Sequence, residues 1–296
     1  MIILFMFLIL FLAGVLCLLF VLITGIKKYK EYKESEYYKS TKFPYWRMYF
    51  DKGRFGEYDT YRCLCPLEGY KKYLFNCYIP KADGTTTEAD IIMIHESGIY
   101  VFESKEYSGW IFGTETQWEW TQALPTGRGK SQKEHFFNPI IQNKVHLKWL
   151  QLYLKDWNNV KFYSYIVFGM QCELKNITLT SSEHHVVKRE ELLEAVLQNA
   201  YASAEMMPKS LIDEIYEKLY PLTQVGEIEK NEHIENIRKR YEKPVSSTKL
   251  PETQDKICPR CGGKLVLKVA KRGNYAGNKF YGCKNYPECK YIENIM

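Results

Sequence analysis

The sequence predicts an α/β domain that lies between an apolar N-terminal helix and a small C-terminal cysteine module. Three observations predict this arrangement. Strand-like and helical stretches alternate between residues 48 and 220, an apolar segment fills residues 1–26, and four of the nine cysteines fall in residues 256–296. With 296 residues, of which 46% are hydrophobic and 26% charged, the chain suits one sizeable globular domain with appendages rather than a disordered protein.

Residues 1–26 carry no charged side chain and consist almost wholly of Ile, Leu, Phe, Val and Met. About 20 such residues cross the hydrocarbon core of a bilayer, so a transmembrane helix is predicted here. A cleaved signal peptide is the alternative, but the segment has no basic start and no small-residue cleavage site. Lys27, Lys28 and Lys30 follow at once. Positive charge on this side predicts a single-pass protein with its N-terminus outside and its soluble domains in the cytoplasm.

Residues 27–47 are polar and tyrosine-rich and are interpreted as a juxtamembrane helix or stalk. A helix is predicted to start near Arg54 and to open the soluble domain. It carries Glu57, which is either an acidic ligand packed beside the following strands or a solvated glutamate favoured by the helix dipole. Tyr73–Ile79 is predicted to be the first strand.

A β-hairpin is predicted from Asp90–Ile94 and Ile99–Lys105, with the turn at residues 96–98. Glu103 and Lys105 are two residues apart on the second strand, so their side chains leave the same face. Two carboxylates can hold a hard divalent cation, and a neighbouring lysine can steady an attacking water or developing charge. This combination suits metal-assisted phosphodiester cleavage, although the short pattern alone occurs on many exposed hairpins.

A further helix is predicted to begin at Asn138, which can cap it, with Pro139 at the first helical position. Gln142 then points toward the hairpin, where it can orient water or phosphate or simply satisfy buried polar groups. The stretch before this helix, Leu124–His135, is interpreted as a polar loop, and Trp118 and Trp120 as alternating residues of one strand.

The rest of the soluble domain is predicted to contain a central strand and further helices. Lys161–Gly169 is the β-prone run, and residues 190–220 are helical in composition. Residues 221–255 are interpreted as a charged helix and a linker, because residues 244–251 begin and end with proline and contain small polar residues. A domain boundary is therefore expected before residue 256.

Five short motifs of the soluble domain, in this order and spacing, resemble the NERD (nuclease-related) domain of the PD-(D/E)XK nuclease superfamily. The motifs are Gly56–Glu57, Ala89–Asp90, Glu103–Lys105, Tyr107–Gly109 and Asn138–Gln142. The resemblance covers roughly residues 48–165, with softer support to about residue 220. It implies a restriction-endonuclease-like central mixed sheet flanked by helices, and a nuclease that depends on Mg²⁺ or Mn²⁺.

The resemblance also implies a role for each polar residue. Glu57 is the helix-borne acid, while Asp90 and Glu103 hold the metal. Lys105 is the catalytic lysine, and Gln142 supports it from the following helix. Two positions depart from the usual pattern, since Ser104 replaces an apolar residue and Ala89 replaces a proline. Ser104 is expected to face away from the metal and to affect only packing.

Four cysteines at the C-terminus have the spacing of a structural zinc site. Cys258 and Cys261 are separated by two residues and Cys283 and Cys289 by five. Disulfides are the alternative, which a cytoplasmic location disfavours. A segment this short has too little core to fold alone, so a bound metal is the expected stabiliser. The segment resembles the zinc ribbon at the C-terminus of type IA topoisomerases, and the resemblance implies binding of single-stranded DNA.

The same tail carries nine Lys or Arg against two Glu, a net charge of +7 in a chain whose total is +6. Basic side chains follow a phosphate backbone, and aromatic faces stack on unpaired bases. The alternative is that the aromatic residues, Phe280 first among them, form the small core of the ribbon. The predicted nucleic-acid contacts are Lys264, Lys268, Lys271, Arg272, Lys279, Tyr281, Tyr286 and Lys290.

Together these features predict a membrane-anchored, metal-dependent nuclease that cleaves DNA and uses its zinc ribbon to bind nucleic acid. The competing hypothesis is a non-catalytic, membrane-tethered DNA-binding or scaffolding protein that retains the nuclease fold.

Overall fold

The predicted hairpin lies inside a mixed sheet in the computed structural model, which describes residues 2–127, 129–157, 159–203, 205–242, 258–269 and 279–294. These residues belong to two units, Met1–Asn236 and Ile237–Met296. The helices are α1 (Ile2–Glu34), α2 (Glu36–Thr41), α3 (Tyr45–Met48), α4 (Lys52–Leu64), α5 (Pro139–Tyr153), α6 (Leu192–Tyr201), α7 (Lys209–Leu219) and α8 (Glu227–Glu242). The strands are β1 (Lys71–Pro80), β2 (Thr86–His95), β3 (Gly98–Lys105), β4 (Gly109–Thr114), β5 (Glu119–Gly127), β6 (Lys130–Phe137), β7 (Phe162–Phe168), β8 (Cys172–Thr178), β9 (His184–Lys188), β10 (Leu265–Val269), β11 (Lys279–Cys283) and β12 (Ile292–Asn294).

The main sheet has five strands in the order β1-β2-β3-β7-β9. The first three strands are antiparallel, whereas β3, β7 and β9 run parallel. Residues 91–95 of β2 and 98–103 of β3 are buried without interruption, as expected for central strands that are covered on both faces. The mixed α/β class predicted from the sequence is therefore confirmed.

Each face of this sheet has its own apolar cluster. One cluster joins Ile91, Met93 and Phe102 to α4, α6 and the tyrosines that precede α4. The other joins Ile92 and Val101 to α5 and α7. Helices therefore cover both faces. The first half of β2 and the carboxyl end of β3 lie between α4 on one side and α5 on the other.

A second, four-stranded sheet in the order β6-β5-β4-β8 was not predicted. The stretch interpreted as a polar loop, Leu124–His135, is instead most of the β5–β6 hairpin. Trp118 is exposed and precedes β5, whereas Trp120 is buried and stacks on Phe168 with ring centroids 6.0 Å apart. The prediction failed because β6 is polar and largely exposed, so it lacks the apolar alternation by which half-buried strands are recognised.

α5 begins where the sequence predicted. The Asn138 side chain accepts a hydrogen bond from the Ile140 amide at 2.9 Å, and Pro139 is the first helical residue. The amide group of Asn138 also donates to three backbone carbonyls in the β4–β5 turn, at 2.7–3.2 Å. The cap therefore fixes the start of α5 relative to the second sheet, and with it the direction in which the first turns of α5 point.

α1 is one helix of 33 residues, and from residue 10 onward it is long and apolar enough to cross a membrane by length and composition. A signal sequence meets the same criterion. The last turns of α1 are less exposed than the rest of the helix, because Tyr32 is completely buried in the cluster that covers one face of the main sheet. α2 adds Tyr37 to that cluster. The segment predicted to be a stalk thus packs against the soluble domain.

The second unit contains a small antiparallel sheet in the order β10-β11-β12. Cys258, Leu265, Cys283 and Cys289 form its buried cluster. The linker predicted at residues 244–251 and the predicted nucleic-acid contacts Lys271 and Arg272 lie outside the described residues.

Candidate active site and metal centre

Asp90 and Glu103 lie on neighbouring strands, next to the paired residues Ile91 and Phe102. The backbone amide of Ser104 donates a hydrogen bond to Asp90 Oδ2 at 2.9 Å. This bond fixes the Asp90 carboxylate against the end of β3. The parallel strand β7 ends at the same level, because Lys105 pairs with Phe168. The edge formed by the carboxyl ends of parallel strands is where ligands bind in many α/β proteins.

Lys105 contacts two of the other predicted side chains. Its Nζ donates to Glu103 Oε1 at 2.6 Å and to Gln142 Oε1 at 3.1 Å. Glu103 is almost completely buried, whereas Lys105 and Gln142 are half-buried. The structure thus brings Asp90, Glu103, Lys105 and Gln142 into one site between β2, β3 and α5.

His146 completes the surroundings of Glu103 and was missed from the sequence. Its Nε2 lies 3.2 Å from Glu103 Oε2, and its Nδ1 lies 2.7 Å from Thr87 Oγ1. It stands one helical turn after Gln142 on α5, so the four-residue spacing was the signal that could have found it. Both oxygens of Glu103 are therefore held, one by Lys105 and the other by His146.

Glu57 approaches the site from the opposite face of the sheet. α4 packs against the side of β3 that carries Ser104, whose Oγ lies 3.3 Å from Thr60 Oγ1. A Cβ atom at Gly56 would come within 2.9 Å of Ser104 Oγ, so the glycine permits this close approach. Ser104 faces α4, whereas Glu103 and Lys105 contact α5.

Three groups hold Glu57 Oε2: Tyr37 OH at 2.9 Å, the Arg54 guanidinium at 3.0 Å and Asn76 Nδ2 at 3.3 Å. Asn76 has a left-handed backbone with φ of 51°, a conformation that asparagine tolerates better than most residues. Tyr37 and Asn76 gave no local sequence signal, since they come from α2 and β1.

Burial and neighbouring charges shift the pKa values of the two acids of the site in opposite directions. Burial, together with the charges of Glu103 and Glu57, raises the pKa of Asp90 well above its ordinary value. Burial would also raise the pKa of Glu103, but Lys105 and His146 outweigh it and the pKa is lowered. Burial opposes the charge of Lys105, yet Glu103 and Asp90 raise the pKa of this ammonium group.

Glu88 is a further carboxylate that the sequence reasoning missed, two residues before Asp90 on β2. Its pKa is raised, mainly by burial. His233 of α8 lies near it, with Nε2 3.8 Å from Glu88 Oε2 and Nδ1 2.9 Å from Thr86 Oγ1. The spacing of two residues between Glu88 and Asp90 could have identified Glu88, because residues at this spacing share a face in a regular strand.

The four cysteines of the second unit form a closed ligand cluster. Their sulfur atoms all lie within 4.8 Å of one another. Among the described residues, the acids of the first unit do not form a group of three ligands at this spacing. The Gly263 amide and the neighbouring cysteines lower the pKa of Cys261 to about 7, whereas burial and the neighbouring cysteines raise the pKa of Cys283. A zinc ion would hold all four sulfur atoms as thiolates.

The described residues around this cluster divide into a core and an exposed surface. Tyr281 and Tyr291 pack against the cysteines, so Tyr281 is a core residue as well as a predicted contact. Tyr286 is 64% exposed, and Lys268 Nζ lies 5.5 Å from the centre of its ring. Lys264 and Lys290 are also exposed, and Lys279 begins β11.

Two family models match the chain. The model of the nuclease-related domain, NERD, matches residues 52–169. The model of the topoisomerase DNA-binding C4 zinc finger matches residues 255–296. Both family resemblances are therefore confirmed, and the four-cysteine cluster fits the zinc site of the matched C4 finger.

Among curated proteins, an uncharacterized protein of Bacillus anthracis is 28% identical over 193 residues, which make up 65% of this chain and 86% of that relative. DNA topoisomerase 1 of Methanocaldococcus jannaschii is 50% identical over 52 residues, and that of Helicobacter pylori J99 is 43% identical over 51 residues. The matched segment covers only 6% of each topoisomerase. No solved structure matches the chain.

Proposed function

Because the chain carries a nuclease-related domain and a topoisomerase-type C4 zinc ribbon, we propose that it is a membrane-anchored, metal-dependent nuclease that cleaves DNA phosphodiester bonds. One observation carries this proposal. The Lys105 ammonium group lies between Glu103 and Gln142, and Asp90 is fixed on the neighbouring strand by the Ser104 amide. Two acids, a lysine and a glutamine thus meet at one edge of the sheet.

The side chains fit a hard divalent cation such as Mg²⁺, with Asp90 and Glu103 as its oxygen ligands. Burial first, and then the charges of Glu103 and Glu57, raise the pKa of Asp90, and a bound cation would offset the part that comes from these charges. When bound, such an ion polarises the phosphate and lowers the pKa of a coordinated water. Glu57 is assigned as an additional acid that acts on the site through its charge.

The remaining polar groups position the reacting atoms. Lys105 can donate to an attacking water or to a phosphate oxygen as negative charge develops on it. Gln142 accepts a hydrogen bond from Lys105 and so restricts the positions of the ammonium group. His146 holds the second oxygen of Glu103 and keeps that carboxylate facing the site.

The zinc ribbon is proposed to bind the DNA substrate in its single-stranded form. Its basic residues can contact phosphates, and the exposed ring of Tyr286 can stack on a base. α1 is proposed to span the membrane once. The lysines that follow Ile26 favour an outside N-terminus and soluble domains in the cytoplasm.

The test is cleavage of single- and double-stranded DNA by the full chain in detergent, with Mg²⁺ titrated from zero. We expect Asp90→Asn and Lys105→Gln each to lower the rate at least about a hundredfold, because both remove charge at the reacting phosphate. Lys148→Gln is the matched control, since Lys148 is exposed on the same helix as Gln142. A fragment that starts at residue 40 is unsuitable, because it lacks the buried Tyr32 and Tyr37.

One observation favours a second candidate, a non-catalytic DNA-binding or scaffolding protein. Both oxygens of Glu103 and one oxygen of Glu57 are already held by protein groups. Satisfied acids of this kind also occur in purely structural networks. Equal cleavage by the wild type and both variants, or no cleavage at any Mg²⁺ concentration, would favour this candidate.

A further inference from the structure

An aromatic cavity of about 430 Å³ lies beside the last turns of α1. The rings of Tyr29, Tyr38, Tyr45 and Trp46 line it together with the side chains of Lys33 and Lys42. α3 closes one side, because the rings of Tyr45 and Tyr29 meet edge-on with their centroids 5.5 Å apart. The proposed nuclease function uses none of these residues.

The cavity lies at the level where the apolar segment ends. Tyr29 is three residues after Ile26, which is about 4.5 Å along a helix axis. The polar headgroup layer on each side of a bilayer is roughly 5–8 Å thick. A bilayer spanned by the apolar part of α1 therefore places Tyr29 among the lipid headgroups. Lys33 lies one turn farther along α1, and its side chain can extend back to the headgroup layer, because helix side chains tilt toward the N-terminus and the lysine side chain is long.

Two cationic groups line the cavity without a carboxylate partner. Among the described residues, neither Lys33 nor Lys42 forms an ion pair, whereas Lys27 and Lys30 on the same helix lie 3.9 Å from Glu31 and Glu34. The ammonium groups of Lys33 and Lys42 lie 3.9 and 5.7 Å from the centre of the Tyr38 ring. Two lysines beside one ring disfavour a cationic ligand such as choline and favour an anion.

The surface next to the cavity also suits a membrane interface. Trp46, Tyr49 and Phe50 are 62%, 59% and 84% exposed. Large aromatic residues of this kind concentrate at the boundary between headgroups and hydrocarbon. Free phosphate esters in water would use the two lysines but leave these rings exposed, so a lipid accounts for more of the surface.

We propose that this cavity binds the phosphate headgroup of an anionic phospholipid from the bilayer that α1 spans. Lys33 and Lys42 contact the phosphate, and the aromatic rings contact the glycerol and upper acyl region. The inference rests on the membrane-anchoring part of the proposed function and is independent of nuclease activity.

The test uses the full chain in vesicles of phosphatidylcholine with increasing fractions of phosphatidylglycerol. The fluorescence of Trp46 is followed as the difference between the wild type and Trp46→Phe, which removes the signal of the other tryptophans. The measured quantity is the phosphatidylglycerol fraction at which half of the Trp46 fluorescence change has occurred. We expect this fraction to be at least about tenfold higher in Lys33→Gln/Lys42→Gln than in the wild type. The matched control, Lys27→Gln/Lys30→Gln, removes the same charge from the same helix and is expected to shift it less than about threefold.

Equal shifts in the two double variants would overturn the headgroup site, because general surface charge would then explain the binding. Full fluorescence change in pure phosphatidylcholine, or with glycerol phosphate in the water phase, would overturn the choice of an anionic lipid. Flotation of the vesicles separates the two levels of the proposal. A chain that does not float contradicts the anchor and the site together, whereas a floating chain without a phosphatidylglycerol response contradicts the site alone.

Discussion

Glu103 is the side chain on which the hydrogen bonds of the candidate active site converge. It is nearly inaccessible to solvent, yet its pKa is lowered because Lys105 and His146 compensate for burial. An unpaired carboxylate in this position would be strongly destabilising. We therefore propose a positioning role for His146, whose other nitrogen contacts Thr87.

Replacement of His146 tests this role. We expect His146→Leu to lower the cleavage rate ten- to hundredfold, roughly the cost of removing a group that orients a metal ligand. The Mg²⁺ concentration at half-maximal rate should rise as well, since Glu103 is then less well oriented. Rates are measured across an Mg²⁺ titration, with His146→Gln as the conservative variant that can still donate to Glu103.

A merely structural histidine would give a different result. In that case His146→Leu would lower the unfolding temperature without changing the Mg²⁺ concentration at half-maximal rate, and His146→Gln would recover stability rather than metal affinity. The two readouts therefore distinguish positioning from packing.

At the scale of elements, the sequence predicted what short-range periodicity encodes. The strands of the β2–β3 hairpin, the turn before Gly98 and the cap of α5 at Asn138 depend on neighbouring residues alone. Glu103, Lys105 and Gln142 could be placed together because a two-residue strand spacing and one helix start fix their directions. The structure contains the contacts of Lys105 with Glu103 and Gln142, whereas the catalytic roles of these residues remain a proposal.

The features that were missed depend on contacts distant in sequence. Glu57 is held by Tyr37 and Asn76, which are 20 and 19 residues away, and no local pattern marks either residue. The second sheet was missed because β6 is almost fully exposed and β8 pairs with β4 across more than 50 residues. An alternating apolar pattern reveals a strand only when one of its faces is buried. A strand that is exposed on both faces, such as β6, has no such pattern.

Glu115 connects three elements, and its replacement tests how the second sheet is attached. It is buried in the β4–β5 turn and accepts hydrogen bonds from Lys144 of α5 at 2.9 Å and from the backbone amides of Thr180 and Ser181 at 2.7 and 2.9 Å. We expect Glu115→Gln to lower the free energy of unfolding at pH 7 by about 2 kcal/mol, because the amide turns charge-assisted hydrogen bonds into weaker ones. Urea unfolding of the full chain in detergent measures this difference.

The loss of unfolding free energy in Glu115→Gln should become smaller at low pH. The Lys144 hydrogen bond and those from Thr180 and Ser181 hold the pKa of Glu115 far below its ordinary value. A group whose pKa is lower in the folded state stabilises the protein above its unfolded pKa of about 4.3 and loses this effect as the pH falls toward the folded value. The difference between wild type and Glu115→Gln should therefore shrink below about pH 4. Glu119→Gln, at an exposed position on β5, is the control.

At the scale of the whole molecule, the first unit extends beyond its family match. The nuclease-related model begins at residue 52, but Tyr32 and Tyr37 are buried in the same apolar cluster as α4 and β2. Tyr37 also donates to Glu57. The proposed anchor is therefore continuous with the domain core. If α1 spans a membrane as proposed, packing rather than a flexible stalk would fix the position of the candidate site relative to that membrane.

The second unit is held by its cysteines, and this gives the last prediction. The buried cluster of the ribbon consists of Cys258, Leu265, Cys283 and Cys289, so a zinc ion bound by the cysteines would supply most of its stabilisation. We expect Cys258→Ser to lose the zinc and to weaken binding of single-stranded DNA at least about tenfold, because the basic and aromatic contacts depend on the folded ribbon. Zinc content is measured by atomic absorption and DNA binding by fluorescence anisotropy, both without Mg²⁺. Cys17→Ser, which changes a cysteine outside the cluster, is the control.

Asp90→Asn should leave the affinity for single-stranded DNA unchanged, because we propose that the ribbon binds DNA and that the first unit cleaves it. An equal loss of DNA affinity in Asp90→Asn, or full affinity in a zinc-free Cys258→Ser protein, would contradict this division of roles.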